Sequence, residues 1–321
     1  MGGKNATERI AADAAGIARA ARLLESGGLV AVPTETVYGL AARADEREAV
    51  ARIYAAKGRP DFNPLIVHVR DLDQAGRYAL VGDDAAALAA RFWPGPLTMV
   101  LPLRADADLA PAVTAGLDTV ALRAPAHPVM RALLDAVAFP LAAPSANRSG
   151  FISPTSPAHV LASLGGRIDA VLDGGAAQCG IESTIVAPRD FPGGERWAML
   201  RPGPVTQEEI AAVLGPAGKP VGSSANERIE APGQLAQHYS PGKSMRLGAL
   251  EADADEFLIG FGAVAGDCTL SASGDPDEAA SRLYDCLHLA RASAMHKIAV
   301  APVPDTGLGA AINDRLRRAA A

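Results

Sequence analysis

The chain has 321 residues, 49% of them hydrophobic and 4% aromatic, and carries a formal net charge of −6. That is enough apolar material for a full core, at a length suited to two or three domains. The acidic balance excludes a polybasic nucleic-acid coat or membrane-surface binder, so any anion site has to be local.

The opening stretch MGGKNATERIAADAAGIARA lacks the apolar centre of a secretory leader, and Ala6 stands where a myristoylation signal needs Ser or Thr. No later run reaches the ~18 continuous apolar residues of a membrane span. A cytoplasmic protein with no membrane partner is expected. GLVAVP (28–33) then reads as a strand running into the polar loop PTETVYGL. A helix is expected from about Asp45 to Lys57, opened by Asp45 and Glu48 at capping-box spacing, with Ala49, Ile53 and Ala56 on one side and Gly58 as its stop. PLIVHV (64–69), LTMVLPL (97–103), TVALR (119–123), DAVLD (169–173) and STIVA (183–187) read as strands, with helices at about 83–92 and 127–137. The alternation predicts an α/β fold with some antiparallel pairing where strands follow without a helix.

After about residue 203 the composition changes. RPGPVTQEEIAAVLG reads as one more helix, and PAGKPVGSSANERIEAPGQLAQHYSPGKSM as a linker rich in Pro, Gly, Ser and Asn, a length that is usually disordered or functional. FLIGFG and KIAVAPV then read as strands, DEAASRLYDCLHLARA and LGAAINDRLRRAA as helices. The domains expected are 1–216, a linker and possible lid at 217–245, and a small α/β unit at 246–321. Gly260, Gly262 and Gly266 sit one residue off the dinucleotide fingerprint, but no helix follows, so a glycine-rich turn is expected. Cys179, Cys268 and Cys286 show neither CxxC nor His/Cys metal spacing and read as three buried thiols, without a disulfide framework or zinc site.

Four clusters crowd polar residues at strand ends, where α/β proteins place their sites. PTETVYGL offers Thr34, Glu35, Thr36 and Tyr38. KGRPDFNPLIVHV offers Lys57, Arg59, Asn63 and His68, although Lys57 also suits a helix C-terminus and His68 a satisfied core position. PLAAPSANRSGFISPT offers Ser145, Asn147, Ser149, Ser153 and Thr155 on a Pro-rich path. Thr119 and Arg123, Ser183 and Thr184, and Arg201 come from DTVALR, ESTIV and LRPG. Cations, hydroxyls and amides without a nucleophile–base order, paired acids or metal ligands imply an anionic substrate and catalysis by positioning and charge stabilisation.

In this order, PTETVYGL, KGRP with NPLIVHV, FWPGPLT, PSAN, ESTIV and LRPG resemble the YrdC-type threonylcarbamoyl-AMP synthases over roughly residues 15–215. HYSPGK and GLGAAINDRLRRAA resemble the longer, two-domain form of that family. The resemblance implies a twisted mixed-sheet YrdC-like domain with a concave basic cleft, followed by a small Rossmann-like domain. It implies condensation of L-threonine, bicarbonate or CO₂, and ATP to L-threonylcarbamoyl-AMP and pyrophosphate, for modification of adenosine 37 in tRNA. By motif matching, Thr36, His68, Arg123, Ser183 and the Ala143 backbone would hold threonine. Arg59, Asn63, Thr119, Ser145, Ser153, Arg201 and Tyr239 would hold ATP, joined by Lys57 and Asn147, with Lys57 and Arg59 as the electrostatic catalysts. Mg²⁺ would travel with ATP, no organic cofactor is implied, and a tRNA threonylcarbamoyl transferase complex would take the product. His238 and Tyr239 are expected to fold over the nucleotide as a lid. A competing reading is an RNA-binding module without ATP turnover, against which the acidic total and sparse aromatics argue. Another is carbamoyl transfer as in hydrogenase-maturation proteins, whose accompanying acylphosphatase and zinc-finger segments are not in this chain.

Overall fold

A computed structural model describes residues 6–189, 194–218, 230–233 and 238–321. Its larger sheet contains β1 (Glu8–Ala11), β2 (Val30–Val32), β3 (Gly39–Arg43), β4 (Ile66–His68), β5 (Leu97–Pro102), β6 (Thr119–Arg123), β7 (Leu141–Ala142), β8 (Ala170–Asp173), β9 (Thr184–Pro188) and β10 (Trp197–Arg201). The order is β1-β8-β2-β3-β7-β4-β6-β5-β9-β10. Pairing is mixed: β4 and β6 run parallel, while β3, β7 and β4 alternate in direction.

β2 is apolar and buried along its whole length, and the longer inner strands β5 and β6 are buried at all but one end residue, as expected where a strand is covered on both faces. Helices at Arg47–Lys57 and Asp83–Phe92 lay Val50, Ile53, Leu88 and Phe92 into the main core beside Trp197. The first of these has Glu46 at its N-cap and no side-chain cap. The capping box expected of Asp45 does not form because its carboxylate is taken by Arg43 at 2.8 Å. The later helix does carry a capping box, between Thr206 and Glu209.

The second sheet is parallel throughout and comprises β11 (Met245–Leu247), β12 (Glu256–Gly260), β13 (Cys268–Thr269) and β14 (Lys297–Val300), in the order β11-β14-β12-β13. It packs against helices Pro276–Ala292 and Leu308–Ala320. The glycine turn after β12 is tight: a Cβ at Gly260 would meet the Val264 carbonyl at 2.3 Å. Cys268 and Cys286 form a disulfide, which corrects the expectation of free thiols; strand and helix bring their Cα atoms to 5.9 Å, within bridging range. Cys179 stays a thiol.

The two domains share an apolar core. Val37, Ile152 and Ile181 of the first domain cluster with Leu283, Leu287 and Ile312 of the second. At Gly180, with φ +73°, a Cβ would meet the Ala280 carbonyl at 2.4 Å, so glycine permits the close approach. Of the linker expected at 217–245, residues 219–229 and 234–237 lie outside the described residues.

Candidate active site

The cleft lies at the strand ends of the large sheet. Parallel β4 and β6 set His68 beside Arg123 in register. Thr36, from the loop after β2, receives a bond from Arg123 Nη1 at 2.9 Å, and Thr34 bonds the Thr36 hydroxyl and the Val37 carbonyl. Arg123 Nη2 binds Glu35 at 2.6 Å. Burial pushes the Glu35 pKa up, but the Arg123 charge and hydrogen bonds from Arg123 and the backbone hold it below the usual range. Burial and Arg123 push the His68 imidazole down to about 3, so it is neutral at physiological pH.

At the other end, Arg59 follows the left-handed Gly58 that stops its helix and is fixed by Asn63 Oδ1 at 2.7 Å and the Pro64 carbonyl at 2.8 Å. Burial lowers its pKa to about 10, where it remains a cation. A register shift in β10 between Met199 and Arg201 re-aims Arg201, whose guanidinium binds the Ser183 carbonyl and hydroxyl at 2.9 and 3.1 Å. Tyr239 takes φ 67° in the left-handed region, which costs a non-glycine residue about 1–2 kcal/mol. His238 N–H to the Arg318 carbonyl at 3.2 Å and Ser240 N–H to the Gly150 carbonyl at 2.8 Å hold the segment from both domains.

Of the residues singled out in the sequence, Thr36, Arg59, His68, Arg123, Ala143, Ser145, Ser183, Arg201 and Tyr239 all line one cleft of about 40 Å³, with His238 and Gly233 closing it. Asn63 and Ser153 are buried behind the wall, on Arg59 and Glu182 respectively. Asn147 donates to the Arg148 and Phe151 carbonyls. Lys57, read as a phosphate contact, is 2% exposed and does not line the cleft: its amine binds the backbone carbonyls of Ser145 and Asn147. Burial and Arg59 lower its pKa. Thr119 starts the strand that Arg123 ends, four residues away.

Unpartnered atoms mark the same place. Among the described residues four buried polar side-chain atoms lack a hydrogen-bond partner, and three of them, His68 Nδ1, His238 Nδ1 and Tyr239 Oη, belong to residues lining this cleft. Such atoms are rare in native interiors and call for a ligand or a water. His68 is therefore not the satisfied core histidine that its strand pattern alone suggests. A larger groove of about 790 Å³ between helices Pro157–Leu164 and Pro276–Ala292 has no such atom in its lining.

The sequence reading did not single out Glu182, Tyr284 and Arg315 as site residues, although the first opens ESTIV. Ser153, Tyr284 and Arg315 all bind the Glu182 carboxylate. Burial raises the pKa of Glu182, but Arg315, Arg201 and the Ser153 bond bring it to about 2.

The Sua5/YciO/YrdC family model, described as telomere recombination, matches residues 22–203, and a model described as the threonylcarbamoyl-AMP synthase C-terminal domain matches 205–321. The chain is 40% identical to the threonylcarbamoyl-AMP synthase of Bacillus subtilis over 98% of this chain and 95% of that one. Identity to the Pyrococcus abyssi synthase is 38%, over 94% and 92%. The crystal structure of P. abyssi Sua5 complexed with L-threonine superposes with a TM-score of 0.89 at 35% identity, covering 98% of this chain and 97% of that one.

Proposed function

The chain belongs to the Sua5/YciO/YrdC family in its two-domain form, and on that footing we propose that it condenses L-threonine, bicarbonate or CO₂, and ATP to L-threonylcarbamoyl-AMP and pyrophosphate. The observation that carries the reading is the convergence of unpartnered His68, His238 and Tyr239 atoms with three arginines on one cleft. That equipment suits a zwitterionic amino acid at one end and a polyphosphate at the other.

Threonine's carboxylate would meet Arg123, with Thr36, Ser183, the Ala143 backbone and neutral His68 around it. Its ammonium would first give a proton to solvent, and the free amine nitrogen would then attack CO₂, a second proton leaving to solvent as the carbamate forms. A carbamate oxygen would then attack the α-phosphorus of ATP, and pyrophosphate would leave. Arg59 and Arg201 would offset the phosphate charge, and Ser145 and Tyr239 would contact the nucleotide. Asn63 would act by fixing Arg59. Lys57 would act through the Ser145–Asn147 loop that it holds, and Thr119, Asn147 and Ser153 have no cleft contact to support their roles as ATP ligands. Mg²⁺ would enter with ATP: the carboxylates at the cleft, Glu182 in its wall and Glu35 behind it, are each engaged by an arginine. Bound there, Mg²⁺ would neutralise the departing pyrophosphate.

A cleft of about 40 Å³ is far smaller than the ~300–1,000 Å³ of ligand pockets, so nucleotide entry requires the cover of Gly233, His238 and Tyr239 to move. Closure afterwards would keep water from the carbamate and the mixed anhydride. The product would pass to a tRNA threonylcarbamoyl transferase in the cytoplasm. Among the described residues no helix is long and apolar enough to cross a membrane. Direct tRNA binding is not favoured by any contact at this cleft.

The test is pyrophosphate release with Mg-ATP and bicarbonate, with and without L-threonine, and with L-serine as control. Release dependent on threonine and bicarbonate is expected, and threonine-independent release would sink the assignment.

A further inference from the structure

One buried polar cluster has no place in the chemistry above, and it spans the two domains. Glu182, 6% exposed, sits in the cleft wall, while Arg315 and Tyr284, both fully buried, come from the last two helices of the second domain. Arg315 Nε reaches Glu182 Oε2 at 2.9 Å and the Tyr284 hydroxyl reaches it at 2.8 Å. The same carboxylate accepts the hydroxyl of Ser153, which is buried behind the cleft wall. The Arg315 guanidinium lies 5.4 Å from the centroid of the Tyr239 ring, and Tyr284 lies 5.7 Å from it, centroid to centroid.

We propose that Arg315 and Tyr284 are positioning residues for the nucleotide end of the cleft, so that the second domain completes the ATP site without touching ATP. The inference rests on the reading of Tyr239 as a nucleotide contact. A carboxylate this deep stays ionised only beside a counter-charge. Arg315 supplies it, and the charge fixes the direction of the hydrogen bond: Ser153 gives its single proton to Glu182, which anchors the Ser153 loop behind the nucleotide end of the cleft. The face of the same guanidinium supports the Tyr239 ring in its left-handed conformation. The shared core and the close approach at Gly180 keep this support in place.

The charged and titratable groups facing Glu182 are Arg315 and Asp314 from the last helix, Tyr284 from the helix before it, Arg201 from β10, and His238 and Tyr239 from the cover. Removing Arg315 takes away the largest charge opposing burial, so the Glu182 pKa rises from its depressed value. The test is Arg315→Met in the full chain, with ATP affinity by calorimetry in the absence of threonine, and pyrophosphate release from pH 5 to 9. ATP Kd and KM should rise at least 10-fold while the threonine KM stays within 2-fold. An acid limb absent from the wild type should appear, and adding Glu182→Gln should abolish it. An unchanged ATP Kd, or equal loss of both substrates with no new limb, would overturn the proposal. Should Arg315→Met not fold, Tyr284→Phe keeps the ring and the ion pair; its ATP KM should rise 3- to 5-fold with threonine unaffected, and an unchanged ATP KM overturns the proposal equally. Wild-type assays run first separate the two levels: without threonine-dependent release the reaction falls, whereas the calorimetric ATP Kd still decides the role of Arg315.

Discussion

Two buried arginine–glutamate pairs bound the cleft, and they face it in opposite senses. At the end proposed for threonine Arg123 lines the cleft with Glu35 behind it; at the end proposed for the nucleotide Glu182 lines it with Arg315 behind. The first pair is local to the first domain and leaves its cation toward the ligand. The second crosses between domains and turns its anion inward, where it orders neighbouring donors. A buried ion pair is thus no single device: which partner reaches the cleft decides whether it recognises charge or organises hydrogen bonds.

The comparison breaks most sharply at Arg123. Arg123→Ala strands Glu35 and should cost kcat/KM for threonine more than 100-fold, with about 3–5 kcal/mol of stability lost to the uncompensated carboxylate; steady-state kinetics and a denaturant titration check both. Gly180→Ala tests the cross-domain side. Its Cβ would meet backbone at 2.4 Å in a left-handed conformation, so about 2–4 kcal/mol should be lost and ATP affinity should fall more than threonine affinity. Equal losses would erase the distinction between the two ends. Tyr239→Phe removes the unpartnered hydroxyl alone and should raise the ATP KM about 10-fold, roughly 1.4 kcal/mol, with little change in melting temperature; an unaltered KM would mean that the hydroxyl meets no ligand.

A further prediction is in pH, and it acts on the stability of the fold rather than on substrate binding. Burial holds His68 and His238 near 3 in the fold, below the ordinary value of 6.5. The unfolded chain therefore binds more protons below pH 6.5, and stability should fall as pH drops from there toward 3, by up to about 1.4 kcal/mol per unit for each ring. His68→Gln should flatten the slope of denaturant midpoint against pH, and an identical slope would show that its ring titrates normally.

Most inner strands and several of the longer helices were legible because their apolar runs are continuous or carry a clear helical period; the helix Ala14–Glu25 was not read. β3, β7 and the edge strand β1 were not. GLAAR has a composition that suits a helix, β7 is two residues long, and β1 is mostly exposed, so its place comes from pairing with β8. The cleft residues were legible because they lie in short linear clusters. Lys57 read as a phosphate ligand because its spacing from Arg59 is right, whereas the Pro-rich loop folds back to offer its amine two carbonyls. The Glu182–Arg315 pair joins residues 133 apart, and the disulfide closes across a strand, a loop and a helix; neither leaves a local signature.

The narrowness of the cleft has a kinetic consequence. On the proposed reading ATP would enter only those molecules whose cover has swung aside, so the open fraction would multiply the intrinsic affinity and the opening rate would cap association. In stopped-flow mixing with a fluorescent ATP analogue, the observed rate should level off as nucleotide rises; a line that keeps climbing would mean that the cover is already open when ATP arrives. The strain at Tyr239 then becomes a timing element, because whatever relieves it sets how long the labile anhydride stays enclosed before an acceptor can take it.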